Sequence, residues 1–424
     1  MNLRVDRTEK LRGEIVVPAS KSHTIRAVMI AALAGGTSRL RAPLFSDDTL
    51  AAVRACRALG ADVEQQPDML IIRGCGSSPG TPDRAIDCLN SGTTTNLLLG
   101  IMAACGVPGE ITGDGSLQSR PVSALAHALS SLGCSIEYLK TRGCPPLRLS
   151  GRITGGKVTV DASKSSQYVS SLLLACPLAE QDTEITVLNP TELPYIDMTL
   201  KWLDDQGIDY ERDGYHCFKV RGGQSYKPFE KVIPADWSSA TFPICAAAVT
   251  GSEIFVRGVD MDDIQGDKAV VDYLGSMGAD ITAGRDGIRI QGGDLQGRDL
   301  DINATPDALP ALAVVGCCAR GATTLYNVAQ ARVKETDRIT VMAEELQKMG
   351  ADIKELPDGL LVRKSRLTGA RVSGRHDHRV VMALSIAGMA AAGPTTIETA
   401  EAVSVTYPAY VESMRAIGVN IMYF

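Results

Sequence analysis

Aromatic side chains are scarce in this chain: six Phe, eleven Tyr and two Trp among 424 residues. Its cores must therefore be filled by Ala, Val, Leu, Ile and Met, which suit helices packed closely against sheets. Excess positive charge is also missing. The formal net charge of −6 opposes a nucleic-acid partner, since such a surface needs a basic face. It still leaves room for an anionic small molecule, because a few basic residues in a cleft can bind phosphate inside an acidic protein. No CxxC pair occurs. The 11 cysteines are odd in number, and Cys245, Cys317 and Cys318 lie in apolar runs. They read as small buried hydrophobes of a protein kept in a reducing compartment.

Other absences narrow the field further. The opening MNLRVDRTEKLRGEIVV lacks the apolar core of a signal peptide. The longest apolar run, Val380 to Gly393, is too short to span a bilayer. No membrane partner is expected, and the cytoplasm is the expected location. There is no GxxxxGK[ST] and no GxGxxG opening a helix, which excludes the usual nucleotide cradles. The five histidines are His23, His127, His216, His376 and His378. Two of them form an HDH triplet, but no matched ligand set surrounds it, so no metal is expected.

What the sequence does contain is a repeat. An amphipathic stretch ends in a hydrophobe and a glycine, then enters a β-like run. It occurs at Gly60, Gly133, Gly207, Gly278, Gly350 and Gly418, at successive intervals of 73, 74, 71, 72 and 68 residues. Six units of roughly 70 residues thus account for the chain, two or three domains being usual at this length. Each unit also opens with a polar segment leading into an Ala/Leu-rich helix. The six starts are SKSHT, NSGTTT, SKSSQ, DWSSAT, TPDALP and HDHR. Ser, Asp, Asn and Thr there can cap free N–H groups, and the later glycine can adopt the left-handed conformation that stops a helix. The Ala-rich helices are apolar all round and should be buried. The second helix of each unit, such as ITVMAEELQKMG, is amphipathic and should lie outside. The six units divide most simply into two domains of three, with a compact crossing near Lys227, Pro228 and Phe229.

If the units repeat by rotation, equivalent helix starts converge. Helix N-termini favour phosphate and carboxylate. Capping alone does not require the residues found at these starts: Lys21, Ser22, Arg26, Thr93, Ser165, Ser166, Gln167, His378 and Arg379. Positive charge at a helix N-terminus is unfavourable unless an anion offsets it, so this conflict points to an anion-binding site. Two further segments stand out. RVKETDR (332–338) is expected to open a helix, and its alternating charges are equally consistent with pairing on a solvated face. LQSRPV places Arg120 before Pro121, hence extended and just outside a helix.

The segments PASKSHTIRA, LNSGTTT, GDGSLQSRPV, SKSSQYVSSLLLACPL, LPYIDMTL, TPDALPALAV, RVKETDRI and DHRVVMA, in this order, resemble the 5-enolpyruvylshikimate-3-phosphate synthase family along nearly the whole chain. The resemblance implies an α/β (α+β) fold of two similar domains. Each would hold three ββαβαβ-type repeats with pseudo-threefold symmetry, an inside-out α/β barrel. It implies domains of 1–19 plus 232–424 and of 20–231, with the active site in the cleft between them. The implied reaction moves the enolpyruvyl group of phosphoenolpyruvate onto the 5-hydroxyl of shikimate 3-phosphate and releases phosphate, with no cofactor. A monomer is expected.

The same resemblance implies roles. Lys21, Ser22, Arg26, Ser165, Ser166, Gln167, Tyr195, Asp307, Gln330 and Lys334 would bind shikimate 3-phosphate. Lys21, Gly92, Thr93, Arg120, Gln167, Arg338, His378 and Arg379 would bind phosphoenolpyruvate. Asp307, Glu335 and Lys21 would be catalytic, Asp307 as proton acceptor and Glu335 in proton transfer at the enol carbon. His378 would orient this group. Three positions depart from the family pattern. Val405 stands where many members have lysine, Asn96 where arginine is frequent, and Gln330 where asparagine is frequent. Each puts phosphoenolpyruvate binding and glyphosate response in question, and Lys164 is a candidate to replace lost charge. Rival readings are a transferase acting on UDP-N-acetylglucosamine, an RNA 3′-phosphate cyclase relative, a transferase using another phosphorylated cyclic alcohol, and a non-catalytic phospho-ligand sensor. The first is opposed by the absence of cysteine from ITGDGSLQSRP.

Overall fold

The computed structural model describes residues 1–76 and 78–424. The chain divides into two compact units. A terminal unit comprises Met1–Pro18 and Pro234–Phe424, and an inserted unit comprises Ala19–Ile233. Each has its own continuous apolar core.

One plan recurs six times. A short strand pairs in parallel with a second strand, and two further strands are added antiparallel; these form a hairpin in five sheets and are Asn2–Val5 and Ile421–Tyr423 in the sixth. In the inserted unit the strand order of one sheet is Gly156–Asp161, Thr183–Leu188, Cys217–Val220, Tyr210–Asp213. The first pairing is parallel and the other two are antiparallel. The equivalent sheet of the terminal unit runs Asp299–Asp301, Ala322–Tyr326, Gly359–Arg363, Asp352–Leu356, with the same pattern of directions. Six four-stranded sheets of this kind make up the mixed α/β fold.

The repeat glycines explain part of this regularity. Gly60, Gly133, Gly207, Gly278, Gly350 and Gly418 all have positive φ, between 67° and 119°. In that region a glycine ends a helix without the steric cost of a Cβ. A second left-handed position follows the central strand of several repeats, at Ala42, Asn189, Asn327 and Thr399. Asparagine suits it, because its short amide tolerates this conformation and bonds locally. Asn189 Nδ2 donates to Asp161 and Asn327 Nδ2 donates to Asp301, so the same Asp–Asn clasp closes equivalent repeats in both units.

Three sheets are completed by strands distant in sequence. Glu14–Val16 supplies the parallel edge beside Glu253–Arg257 in the terminal unit. Glu230–Val232 does the same beside Thr37–Arg41 in the inserted unit. The strand Asn2–Val5 lies between Thr395–Glu398 and Ile421–Tyr423. The chain thus enters and leaves the inserted unit directly from strands, at Pro18 and Pro234. In the terminal unit Asp236 N donates to Pro18 O at 2.8 Å.

The Ala-rich helices Lys21–Leu33, Gly92–Cys105, Trp237–Thr250 and His378–Ala390 are buried over almost their whole length, as their all-round apolar faces require. The second helices, such as Arg338–Lys348, bury one face only. Close helix packing needs small residues. A Cβ at Gly100 would lie 2.4 Å from Ser171 Oγ and 2.8 Å from Ser171 O, while Ser171 Oγ donates to Asn96 O at 2.6 Å. Among the described residues no helix is long and apolar enough to cross a membrane. All 11 cysteines are free, and burial raises the Cys88 and Cys176 thiols to about 12.

Replacing Gly100 with alanine forces apart the helices Gly92–Cys105 and Gln167–Ala175. Chemical denaturation should show a loss of about 1–3 kcal/mol, the usual cost of overpacking. An unchanged midpoint would mean that the two helices separate freely.

Candidate active site

Four of the six helix starts are capped as their sequences suggest. Ser20 accepts from His23 N, Ser91 from Thr94 N, Asp236 from Ser239 N and Asp377 from Arg379 N. The third and fifth starts carry no side-chain cap. There the polar side chains that could have capped the helix, Ser166 and Asp307, bond to other elements. Those departures locate the charged clusters, one in each unit.

In the terminal unit the starts of all three buried helices meet. Arg338, the first residue of its helix, has no exposed surface. Its guanidinium donates to Asp307 Oδ1 at 2.6 Å, Glu335 Oε2 at 2.5 Å and Asp377 Oδ2 at 2.7 Å. Arg379 NH2 binds the other oxygen of Asp307 at 2.8 Å and reaches Ser238 Oγ, also at 2.8 Å. Arg379 NH1 lies 2.6 Å from His378 Nε2. Arginine only donates, so His378 Nε2 is the acceptor of this bond.

The electrostatics follow from this packing. Burial alone would raise the Asp307 pKa, but Arg379, Arg338 and Lys334 outweigh it and hold the carboxyl well below the usual range. Burial likewise works against the Arg338 cation. Asp377, Glu335 and Asp307 reverse the effect and hold it well above its ordinary value. The RVKETDR segment therefore does not present a solvated face at Arg338. Nor does it open the helix at Arg332: Ala329–Val333 is a tight turn, Asp337 is the cap, and the helix begins at Arg338. Gln330 Nε2 donates to Asn303 O at 3.1 Å. Val405 is buried at the end of the turn Ala400–Val405.

The inserted unit carries the other cluster. Lys21 Nζ pairs with buried Asp48 at 3.0 Å. Arg26 is buried and, among the described residues, donates only to neutral oxygens: Thr199 Oγ1, Ser22 O, Ser170 Oγ and Tyr195 O. Burial lowers its pKa to about 10, with Tyr195 opposing. A buried guanidinium without a carboxylate is an unbalanced charge, which an anion would offset. Gln167 joins two helix starts, donating to Thr93 Oγ1 at 3.0 Å and accepting from Asn96 Nδ2 at 2.7 Å. Ser165 Oγ accepts from Gln167 N. Arg120 is extended (φ −83°, ψ 133°) after the turn Leu117–Ser119. It binds Asn90 O, Asn90 Oδ1 and Ser116 Oγ. A Cβ at Gly92 would lie 3.3 Å from Arg120 NH1, so glycine admits the guanidinium to this helix start. Lys164 is exposed just before the helix Gln167–Ala175.

Several functional candidates escape a reading by sequence. Asp377, Ser238 and Asp48 stand in polar helix starts and look like ordinary caps, yet they hold Arg338, Arg379 and Lys21. The one available signal is the charge conflict itself, since a cation at a helix start needs an anion nearby. The structure supplies part of that anion internally.

The architecture is that of the inside-out α/β fold. The 2.37 Å structure of EPSP synthase from Acinetobacter baumannii matches with a TM-score of 0.84 and 30% identity, covering 99% of both chains. The family model of EPSP synthase (3-phosphoshikimate 1-carboxyvinyltransferase) matches residues 5–414, and the chain belongs to that family. The 3-phosphoshikimate 1-carboxyvinyltransferase of Acetivibrio thermocellus is 48% identical over 420 residues, 98% of each chain. That of Ruminiclostridium cellulolyticum is 47% identical over 423 residues, 99% of each.

Asp377→Ala should destabilise the protein by about 3–5 kcal/mol, because it removes the charge-assisted bonds to buried Arg338, leaving it Asp307 and Glu335, and the cap of its own helix. The pH dependence has a definite sign. Asp307 is depressed on folding, so its stabilising contribution is complete above its unfolded pKa of about 4 and is lost as pH falls below that. The melting-temperature gap between wild type and Asp307→Asn should stay constant from about pH 8 to pH 5 and narrow below about pH 4. A gap independent of pH would show that Asp307 is not held as a buried carboxylate.

Proposed function

We infer that the chain transfers the enolpyruvyl group of phosphoenolpyruvate to the 5-hydroxyl of shikimate 3-phosphate, releasing phosphate, as a transferase of the shikimate pathway to aromatic amino acids. The observation that carries the residue roles is the pairing of two buried arginines with the two oxygens of one carboxylate, Asp307. It joins anion-binding groups to a proton acceptor.

The chemistry sets the demands. The 5-hydroxyl loses a proton while its oxygen bonds to C2 of the enolpyruvyl group, and the methylene carbon gains a proton. The C2–O bond to phosphate then breaks, the phosphate leaves with the electron pair, and the methyl group gives up a proton to restore the double bond. Asp307 takes the hydroxyl proton in this reading, and Glu335 or Lys21 moves protons at the carbon. Arg120, Arg338 and Arg379 hold the phosphate and carboxylate of phosphoenolpyruvate, with Gly92, Thr93, Gln167 and His378 beside them. Lys21, Ser22, Arg26, Ser165, Ser166, Gln167, Tyr195, Gln330 and Lys334 hold shikimate 3-phosphate.

The paired arrangement has a consequence for timing. With both oxygens accepting from guanidinium groups, Asp307 is weakly basic. A phosphate or carboxylate that recruits Arg338 and Arg379 draws that stabilisation away and makes Asp307 a better acceptor. Phosphoenolpyruvate would thus prepare the base that its own reaction needs.

Phosphate release should require both substrates, with each omission abolishing it. Asp307→Ala or Glu335→Ala should lower kcat by about 10²- to 10⁴-fold, the usual range for a lost general acid or base. Full activity in both variants, with the folds intact, would remove these two residues from proton transfer.

A further inference from the structure

Ser166 heads the third buried helix of the inserted unit, Gln167–Ala175. Its hydroxyl does not cap that helix. Both its donors turn to one carboxylate oxygen: Ser166 Oγ lies 2.8 Å and Ser166 N 3.2 Å from Glu192 Oε2. Glu192 is 2% exposed. It stands just before the helix Leu193–Gln206, with φ 52° and ψ 45°. Left-handed backbone is unusual for a residue other than glycine, asparagine or aspartate. The chain accepts that strain, and a carboxylate sits against the donors of a helix start. Burial raises the phenol of Tyr168, the second residue of the helix, and the Glu192 charge adds to the effect.

These donors are the kind that bind a phosphate: a backbone N–H and a hydroxyl at the positive end of a helix. We propose that Glu192 is a resident competitor for the phosphate of shikimate 3-phosphate, occupying the Ser166 donors until the substrate displaces it. The inference rests on the reading that Ser166 holds this phosphate. Two anions cannot share one set of donors. Substrate binding must therefore break the Ser166–Glu192 bonds and move or neutralise the carboxylate, which weakens the net affinity for the acceptor. Glu192 is then a determinant of acceptor affinity, and phosphoenolpyruvate affinity should not depend on it.

Glu192→Gln removes the charge and keeps the shape, whereas Glu192→Ala removes both. Steady-state kinetics and calorimetry with shikimate 3-phosphate alone would be compared at constant ionic strength. In both variants KM and Kd for shikimate 3-phosphate should fall about tenfold, the effect of one modest ionic competitor. KM for phosphoenolpyruvate should stay within about twofold, a change of under half a kcal/mol. Unchanged or raised values for shikimate 3-phosphate, in variants whose melting temperature is retained, would overturn the proposal. If the wild-type protein released no phosphate from the two substrates, the functional reading would fail by itself. Calorimetry would still decide whether removing the Glu192 charge tightens binding. Absence of any shikimate 3-phosphate binding, in wild type and variants alike, would sink both.

Discussion

A guanidinium with no solvent contact must find counter-charge within the protein or lose its proton, and the terminal unit is organised around that constraint. Arg338 is surrounded by Asp307, Glu335 and Asp377. Three carboxylates around one cation leave negative charge over, and Arg379 takes up part of it at the second oxygen of Asp307. Each of the three carboxylates comes from a different segment of the sequence. The cluster therefore fixes the helix starts of the unit relative to one another. Asp377 does this doubly, capping its own helix and binding Arg338. A buried network of this type contributes little net stability against an apolar substitute, but breaking it is costly. Its retention suits a group of residues that must be held in a fixed geometry.

The inserted unit solves the same problem differently. Lys21 has a buried carboxylate partner in Asp48, whereas Arg26 has only neutral acceptors and a depressed pKa. Glu192 is a carboxylate in the same unit, but it is bound to the Ser166 donors. An incoming anion near Arg26 would gain from a charge that the protein leaves unbalanced. The two units thus differ in a useful way. One presents cations already paired with buried carboxylates. The other presents a cation that a ligand can complete.

Much of the fold could be read from residues alone, because the repeat is written twice over. The six glycines mark helix ends through their left-handed backbone, and the strands TSRLRA, EITGDG, EITVLN, EIFVRG, TTLYNV and TTIETA all form the central strand of their sheets. What could not be read is which distant strand completes a sheet. Glu14–Val16 and Glu230–Val232 each fill an edge opened by the crossing between units, and nothing in a three-residue strand names its partner. The candidate site was legible in its cations, since lysine and arginine at helix starts break a local rule. Asp307 and Glu335 were named by the family resemblance, but the buried anions Asp377 and Asp48 were not, because aspartate at a helix start obeys that rule. Asp377 and Asp48 look like ordinary capping residues until the fold brings the arginine and lysine to them. RVKETDR misled for a related reason. Alternating charge reads as a solvated helix, whereas the helix begins only at Arg338, which is wholly buried.

The same distinction bears on the positions that depart from the family pattern. Asn96 replaces a frequent arginine, but it is buried and its amide donates to Gln167 Oε1. That bond turns Gln167 Nε2 towards Thr93, so the residue orients a polar neighbour in place of supplying charge. Its own Oδ1 is buried without a hydrogen-bond partner among the described residues, an arrangement that costs free energy unless a donor arrives. Val405 carries no such compensation, being an apolar side chain buried at the end of its turn. Arg338 and Arg379 are themselves engaged with Asp307. Any anion that reaches them must compete with that carboxylate. Affinity for an anionic ligand is then set less by the number of cations than by how readily each internal carboxylate gives up its partner.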